Sequence, residues 1–302
     1  MPRASIDIGS NSVVFLVLDD DGSILHDDAE VVSLGRGLAR TQRFLPDRMD
    51  AARDVIASYA QVAARHGVDA SEIHGIATSA SRRASNADAF YTQILKETGV
   101  KVRIISGIEE ANLTWRGALF GLPTPTSTFA VVDLGGGSTA VVVGQPGADA
   151  PESRISLEVG TVRLMEQFFD SQPADYLVAQ FEEMSAHIAA VVSDVDWGDG
   201  PETMVAVAGT ATTLAAMELG LKAWDRDVVH GTQLSVGALE TWILSLLHSS
   251  PDQRRVWAEV SPERADILLA GAAVLHAVCA ASGVSGLTVS DVGIRHGALL
   301  NA

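Results

Sequence analysis

Residues 4–17 read ASIDIGSNSVVFLV and residues 130–143 read AVVDLGGGSTAVVV. With Asp7 set on Asp133, Ile8 falls on Leu134, Gly9 on Gly135 and Ser12 on Ser138. Each stretch is an apolar strand, an aspartate, a glycine/serine turn and a second apolar strand. Glycine lets backbone N–H groups close around an anion without a Cβ in the way. The aspartate ending the first strand can hold a divalent cation or a water beside that anion. Two such hairpins, opening two related halves, predict a cleft that holds a phosphate chain from both sides.

Outward from the hairpins, strands alternate with helices. The first half reads as strands near 4–8, 13–18, 24–34, 73–78 and 102–106, with helices near 47–66, 86–98 and 108–120. Met49, Ala52, Ile56, Tyr59 and Ala63 share one face of the first helix. Residues 123–128, PTPTST, are the linker candidate. The second half repeats the plan, with strands near 129–134, 139–144, 154–158, 204–209 and 287–291. Its helices are expected near 161–169, 174–193 and 262–281, with another capped by Ser235 and ending before Pro251. A last helix is expected over 293–301. This order predicts an α/β protein with mixed sheets covered by helices. The expected domains are 1–122 and 123–292, with the terminal helix of 293–302 packing back on the first.

The chain has 302 residues, 47% of them hydrophobic, which suits two domains with real cores. Mean hydropathy is +0.20. A net charge of −17 argues against general binding to nucleic acid or an anionic membrane. A phosphate chain can still be held by loop amides, metal ions and a few local arginines. Lysine stands only at 96, 101 and 222; all other basic residues are arginines. Cys279 is the only cysteine, so no internal disulfide is possible, and a reducing compartment is expected. MPRASIDIG lacks a signal-peptide apolar region. A cytoplasmic homodimer that binds neither nucleic acid nor membrane is the expectation.

Three turns can bind phosphate: Gly9-Ser10-Asn11-Ser12, Gly135-Gly136-Gly137-Ser138-Thr139, and Gly209-Thr210-Ala211-Thr212-Thr213. The third lies between a strand and a helix, so amides and helix dipole can both face an anion. Glu109 and Glu110 open the helix after the strand ending at Ser106; either is helix-start decoration or a base for an attacking water. Arg82 and Arg83 follow a strand end, where open α/β sheets bind ligands, and the same position suits solvated surface arginines. Arg295 is similar, and His230 reads as a core histidine or a loop partner. No His/Cys cluster has metal-ligand spacing.

These residues resemble the exopolyphosphatase/guanosine pentaphosphate phosphohydrolase family along the whole chain. The matching stretches are IDIGSNS (6–12), ATSASRRASN (77–86), ISGIEEA (105–111), VVDLGGGST (131–139), SLEVGTVRL (156–164), GTATTLA (209–215), VVHG (228–231), ERADILLAGAAVL (263–275) and VSDVGIRHG (289–297). That family is a branch of the actin/hexokinase/Hsp70 superfamily. The resemblance therefore implies two RNase-H-like domains, with mixed sheets flanked by helices, around an interdomain cleft. It also implies hydrolysis of a terminal phosphoanhydride, in inorganic polyphosphate or the pentaphosphate alarmone, with Mg²⁺. By position, Glu110 matches the catalytic base, Asp133 a metal- or water-orienting aspartate, and Arg82 an arginine on the phosphate chain. Asp7 and Asp133 are the expected metal residues.

The chain departs from the family's pattern at three places. Val14 stands where Arg is usual, Ala140 where Glu is usual, and His296 where an acidic residue is usual. Val14 and Ala140 occupy the same repeat position, so one basic and one acidic group are missing from equivalent places. Two other readings follow: a catalytically weakened phosphate-chain sensor, or an actin-like kinase or ATPase with an adenosine pocket in the second domain.

Overall fold

In a computed structural model of the chain, describing residues 1–148, 150–169, 178–198, 200–259 and 261–300, β1 (Arg3–Ile8) and β2 (Ser12–Leu18) form an antiparallel hairpin that places Val14 opposite Asp7. β3 (Ile24–Val31) pairs with the outer side of β2. It stops short of residue 34 because the Val32 and Ser33 N–H groups both turn to the Asn11 carbonyl, and Ser33 takes φ 51°. After α1 (Leu38–Thr41), α2 (Pro46–Arg65) starts on a proline, whose missing N–H costs nothing at a first helical turn. Ala52, Ile56, Tyr59 and Ala63 form its buried face, and Tyr59 stacks on Phe15 at 4.8 Å.

β4 (His74–Ala77) runs parallel to β1, and β5 (Val102–Ile104) parallel to β4. Between them lie α3 (Ser79–Arg83) and α4 (Ala87–Thr98), the latter closed by Gly99 at φ 78°. α5 (Gly107–Ala118) follows. The sheet order is β3-β2-β1-β4-β5.

The second sheet repeats this order and extends it. β6 (Phe129–Leu134), β7 (Thr139–Gly144) and β8 (Ser153–Leu157) form the antiparallel meander, with Ala140 opposite Asp133. α6 (Thr161–Phe168) and α7 (Val178–Val192) follow; residues 174–177 of the expected helix, including Leu177, lie outside the described residues. β9 (Thr203–Val207) is parallel to β6. Then come α8 (Gly209–Glu218), α9 (Arg226–Val229), β10 (Gln233–Ser235), α10 (Val236–Leu247), with Ser235 accepting from Ala238 N–H, and α11 (Pro251–Trp257). The helix expected over 262–281 is divided: Pro262–Ile267 is 3-10, and α12 (Leu268–Ser282) is the buried α-helix. β11 (Gly286–Val289) joins β9 in parallel, giving the order β10-β11-β9-β6-β7-β8. Both central strands, β1 and β6, are largely buried along their length, and in both the aspartate is a partly exposed exception near the end.

α13 (Ile294–Leu299) ends the described chain. Two compact units result: Met1–Gly117 with Ile294–Ala302, and Ala118–Gly293. Within the first, Arg3 donates to Leu299 O, Ser5 Oγ to Arg295 O, and Arg295 pairs with Asp27 at 3.0 Å. Gly297 lies so close to α5 that a Cβ there would stand 1.9 Å from Leu113 O. Helix propensity alone favours Gly297→Ala by about 1 kcal/mol. The carbonyl contact should reverse that sign, for a net loss of about 1–3 kcal/mol. Urea unfolding checks this; an equally or more stable variant would show that α13 does not depend on the close approach.

Candidate functional site

The two glycine/serine loops are built alike. Gly9 N–H donates to Ser12 O at 2.9 Å, and Gly135 N–H to Ser138 O at 3.0 Å. Their other carbonyls are taken from behind. In the first unit, Val32 and Ser33 N–H reach Asn11 O, and Gly35 N–H reaches Ser10 O. In the second, Thr161 N–H reaches Gly135 O and Arg163 N–H reaches Gly136 O, both at 3.0 Å. Gly160 makes that second joint possible, since a Cβ there would stand 2.4 Å from Ser138 N. Among the described residues, the N–H groups of Ser10, Asn11, Gly136 and Gly137 have no backbone partner, and such groups can donate to an anion. Asn11 Nδ2 is a further buried donor without a hydrogen-bond partner among the described residues. Thr139 has a different role from the one expected: its fully buried hydroxyl donates to Val159 O and anchors the loop, so it does not present a side-chain donor to phosphate.

Glu109 and Glu110, alike in sequence, are separated by α5. Glu109 pairs with the exposed Arg103. Glu110 turns inward, its side chain 13% exposed, and receives Arg82 Nη1 at 2.7 Å. The same nitrogen donates to Ile105 O at 3.0 Å. A guanidinium carries five N–H donors, so Nε and Nη2 are left for other acceptors. Burial raises the Glu110 pKa; the charge and hydrogen bond of Arg82 pull the other way. The carboxylate is thus held close to a cation in a poorly solvated place. Arg82 and Arg83 sit in α3, the short helix that the stretch ATSASRR forms.

The third expected turn is the first turn of α8. Thr212 and Thr213 hydroxyls fold back onto Gly209 O and Thr212 N–H bonds Ala208 O, so the first-turn N–H groups of Gly209, Thr210 and Ala211 are those without an intrahelical partner. Ala208, before it, has φ 77° and ψ 167°, a conformation almost confined to glycine. Arg264, which sequence reasoning did not single out, lies against this turn: a Cβ on Gly209 would meet its Nη1 at 1.7 Å. Its Nε donates to Ser261 Oγ, and burial pushes its pKa down. The signal was an arginine inside the apolar stretch ERADILLAG. Arg295 and His230 have structural partners: Arg295 pairs with Asp27, and His230 Nδ1 accepts from Asp291 N–H.

Asp7 and Asp133 stand at equivalent strand ends, each in its own unit. Among the described residues no group of three or more His, Cys, Asp or Glu is placed to hold a metal ion. One carboxylate per loop fits Mg²⁺, which keeps several waters and takes substrate oxygens as ligands.

Two units, each a mixed sheet flanked by helices and opened by a glycine/serine-loop hairpin, define an α/β protein of the actin-like ATPase fold. Residues 14–302 match the Ppx/GppA phosphatase family, and the chain belongs to it. Exopolyphosphatase 2 of Mycobacterium tuberculosis is 31% identical, across 99% of this chain and 97% of its own. The solved structure of the Aquifex aeolicus Ppx/GppA family member matches 100% of this chain and 97% of its own at 31% identity, with a TM-score of 0.81. An exopolyphosphatase from Cytophaga hutchinsonii shares the fold at 23% identity and a TM-score of 0.89, over 100% of this chain and 97% of its own.

Ala208→Gly should relieve the backbone strain before α8 and raise stability by about 1 kcal/mol. The check is the urea midpoint; an unchanged or lower midpoint would mean that Ala208 is not strained in solution.

Proposed function

We propose that this protein is an exopolyphosphatase, hydrolysing the terminal phosphoanhydride bond of inorganic polyphosphate, with guanosine pentaphosphate as a second substrate. The observation that carries this reading is the inward Glu110 held by Arg82. Glu110 takes a proton from water as its oxygen attacks the terminal phosphorus. The bond to the next phosphate breaks, releasing orthophosphate and a chain shorter by one unit. Loop amides, with the remaining donors of Arg82, meet charge on the phosphate oxygens. Mg²⁺, when bound, would neutralise further charge on those oxygens, with Asp7 and Asp133 as its candidate ligands. The named exopolyphosphatase relative supports the substrate class. The reading includes a cytoplasmic homodimer, whose dimeric state light scattering would test; the lone, buried Cys279, its thiol pushed up to about 11, suits that compartment.

A phosphate-chain-binding regulator is the second reading. It is favoured by Val14 opposite Asp7 and Ala140 opposite Asp133, where the resemblance implies Arg and Glu. Phosphate release from polyphosphate, pentaphosphate and ATP, each with and without Mg²⁺, separates the readings. Binding without release supports the regulator.

For the enzyme, Glu110→Gln should lower kcat by roughly 10²–10⁴-fold with little change in affinity. Near-normal turnover would remove Glu110 from the mechanism. The base works ionised, so activity falls as pH drops through its pKa, which burial raises. Arg82→Gln removes the opposing influence and should move the acid limb of the kcat profile to higher pH; an unmoved limb would identify another titrating group. Ala140→Glu should strengthen Mg²⁺ dependence and raise hydrolysis, and adding Val14→Arg should raise it further. Hydrolysis measured against Mg²⁺ concentration checks this. A fast parent that the double change leaves alone or slows would show these positions to be no deficit.

A further inference from the structure

Arg163, the third residue of α6, is a cation that the chemistry above does not use. Its backbone N–H holds Gly136 O, so its place beside the 135–139 loop is fixed. Its side chain is 17% exposed and its Nη1 pairs with Glu158 Oε2 at 2.5 Å. Its Nε and Nη2 are buried, and neither has a hydrogen-bond partner among the described residues. Folded proteins leave few buried donors unsatisfied, and charged ones are the most costly. Among the described residues, Nε and Nη2 therefore lack an acceptor. Glu158 is not a strong competitor for it: its side chain is 68% exposed, and a carboxylate so well solvated releases its partner readily.

We propose that Arg163 is a phosphate-chain ligand of the second unit, with Glu158 as the internal counter-ion that substrate displaces. The geometry carries this in three steps. The segment 158–163 is the back wall of the loop: Thr161 and Arg163 N–H bind its carbonyls, and Gly160 lies against Gly136–Ser138. Arg163 is thereby fixed one hydrogen bond from Gly136, inside the loop proposed to grip the chain. A guanidinium there offers two parallel N–H groups to phosphate oxygens, a bidentate match that Glu158, bound only at Nη1, does not satisfy. This assignment rests on the proposed polyphosphate substrate and adds to it a specific binding residue, together with a competitor built into the protein.

Steady-state hydrolysis of polyphosphate, with parallel binding measurements by calorimetry, tests it in the full chain. Arg163→Gln should raise KM and Kd about tenfold or more, with a smaller effect on kcat. Arg163→Lys should recover only part of the affinity, since an ammonium keeps the charge but loses the fork. Glu158→Gln, a change at an exposed side chain, should lower KM and Kd, because the competing carboxylate is gone. Unchanged KM and Kd in both Arg163→Gln and Glu158→Gln would overturn the assignment while leaving the hydrolase intact. So would a loss in Arg163→Gln confined to kcat or to thermal stability. A wild-type protein that neither binds nor cleaves polyphosphate would overturn the proposed function and this assignment together.

Discussion

A loop can turn its amides toward an anion only when something else takes its carbonyls. In this protein that constraint is met twice, by different means. In the first unit the chain leaving β3 donates three N–H groups to Ser10 and Asn11; in the second, the first turn of α6 donates two to Gly135 and Gly136. The tight four-residue turn is the same in both, and so is the strand-end aspartate. The α6 N-terminus thus acts on the loop and not on a ligand. Its unsatisfied donors hold peptide oxygens, which leaves the Arg163 side chain as the part of this turn proposed to meet a ligand.

A strongly acidic chain that handles a polyanion needs its positive charge concentrated. Arg82, Arg163 and Arg264 each stand beside one of the glycine-rich turns or beside the proposed base, and Arg163 and Arg264 are substantially buried. Two of them already have a carboxylate neighbour, Glu110 or Glu158, which keeps the cation in place without saturating its donors. The Arg82–Glu110 pair works in both directions. Arg82 limits how far burial can raise the Glu110 pKa, and Glu110 aims the guanidinium.

Much of this was legible in the sequence. The register of Asp7 with Asp133 identified both hairpins and, through them, the duplicated sheet. Strand and helix periodicity located most of the long elements, because burial on one or both faces imposes those periods. Short elements were not legible. α3 has five residues and no periodicity to detect, yet it carries Arg82. Long-range partners were also hidden: only the fold sends Glu109 to Arg103 and Glu110 to Arg82, or shows that the Thr139 hydroxyl is used by Val159 O. Arg163 and Arg264 lay inside stretches that had drawn notice for other residues, and their burial could not be read from residue type. The apparent Thr-rich turn at 209–213 is the first turn of α8, its Thr212 and Thr213 hydroxyls bonded to Gly209 O.

α13 has a consequence for how the chain comes into being. Ile294 packs with Ile76 and Ile105, and Leu299 with Leu16 and Leu18. Those partners emerge from the ribosome long before the helix that covers them, with all of Ala118–Gly293 still to be made. Until then β2 and β4 carry an uncovered apolar face, a surface prone to premature association. The second unit draws on no later segment and can close as soon as its own residues are out. The order of closure is therefore the reverse of the order of synthesis.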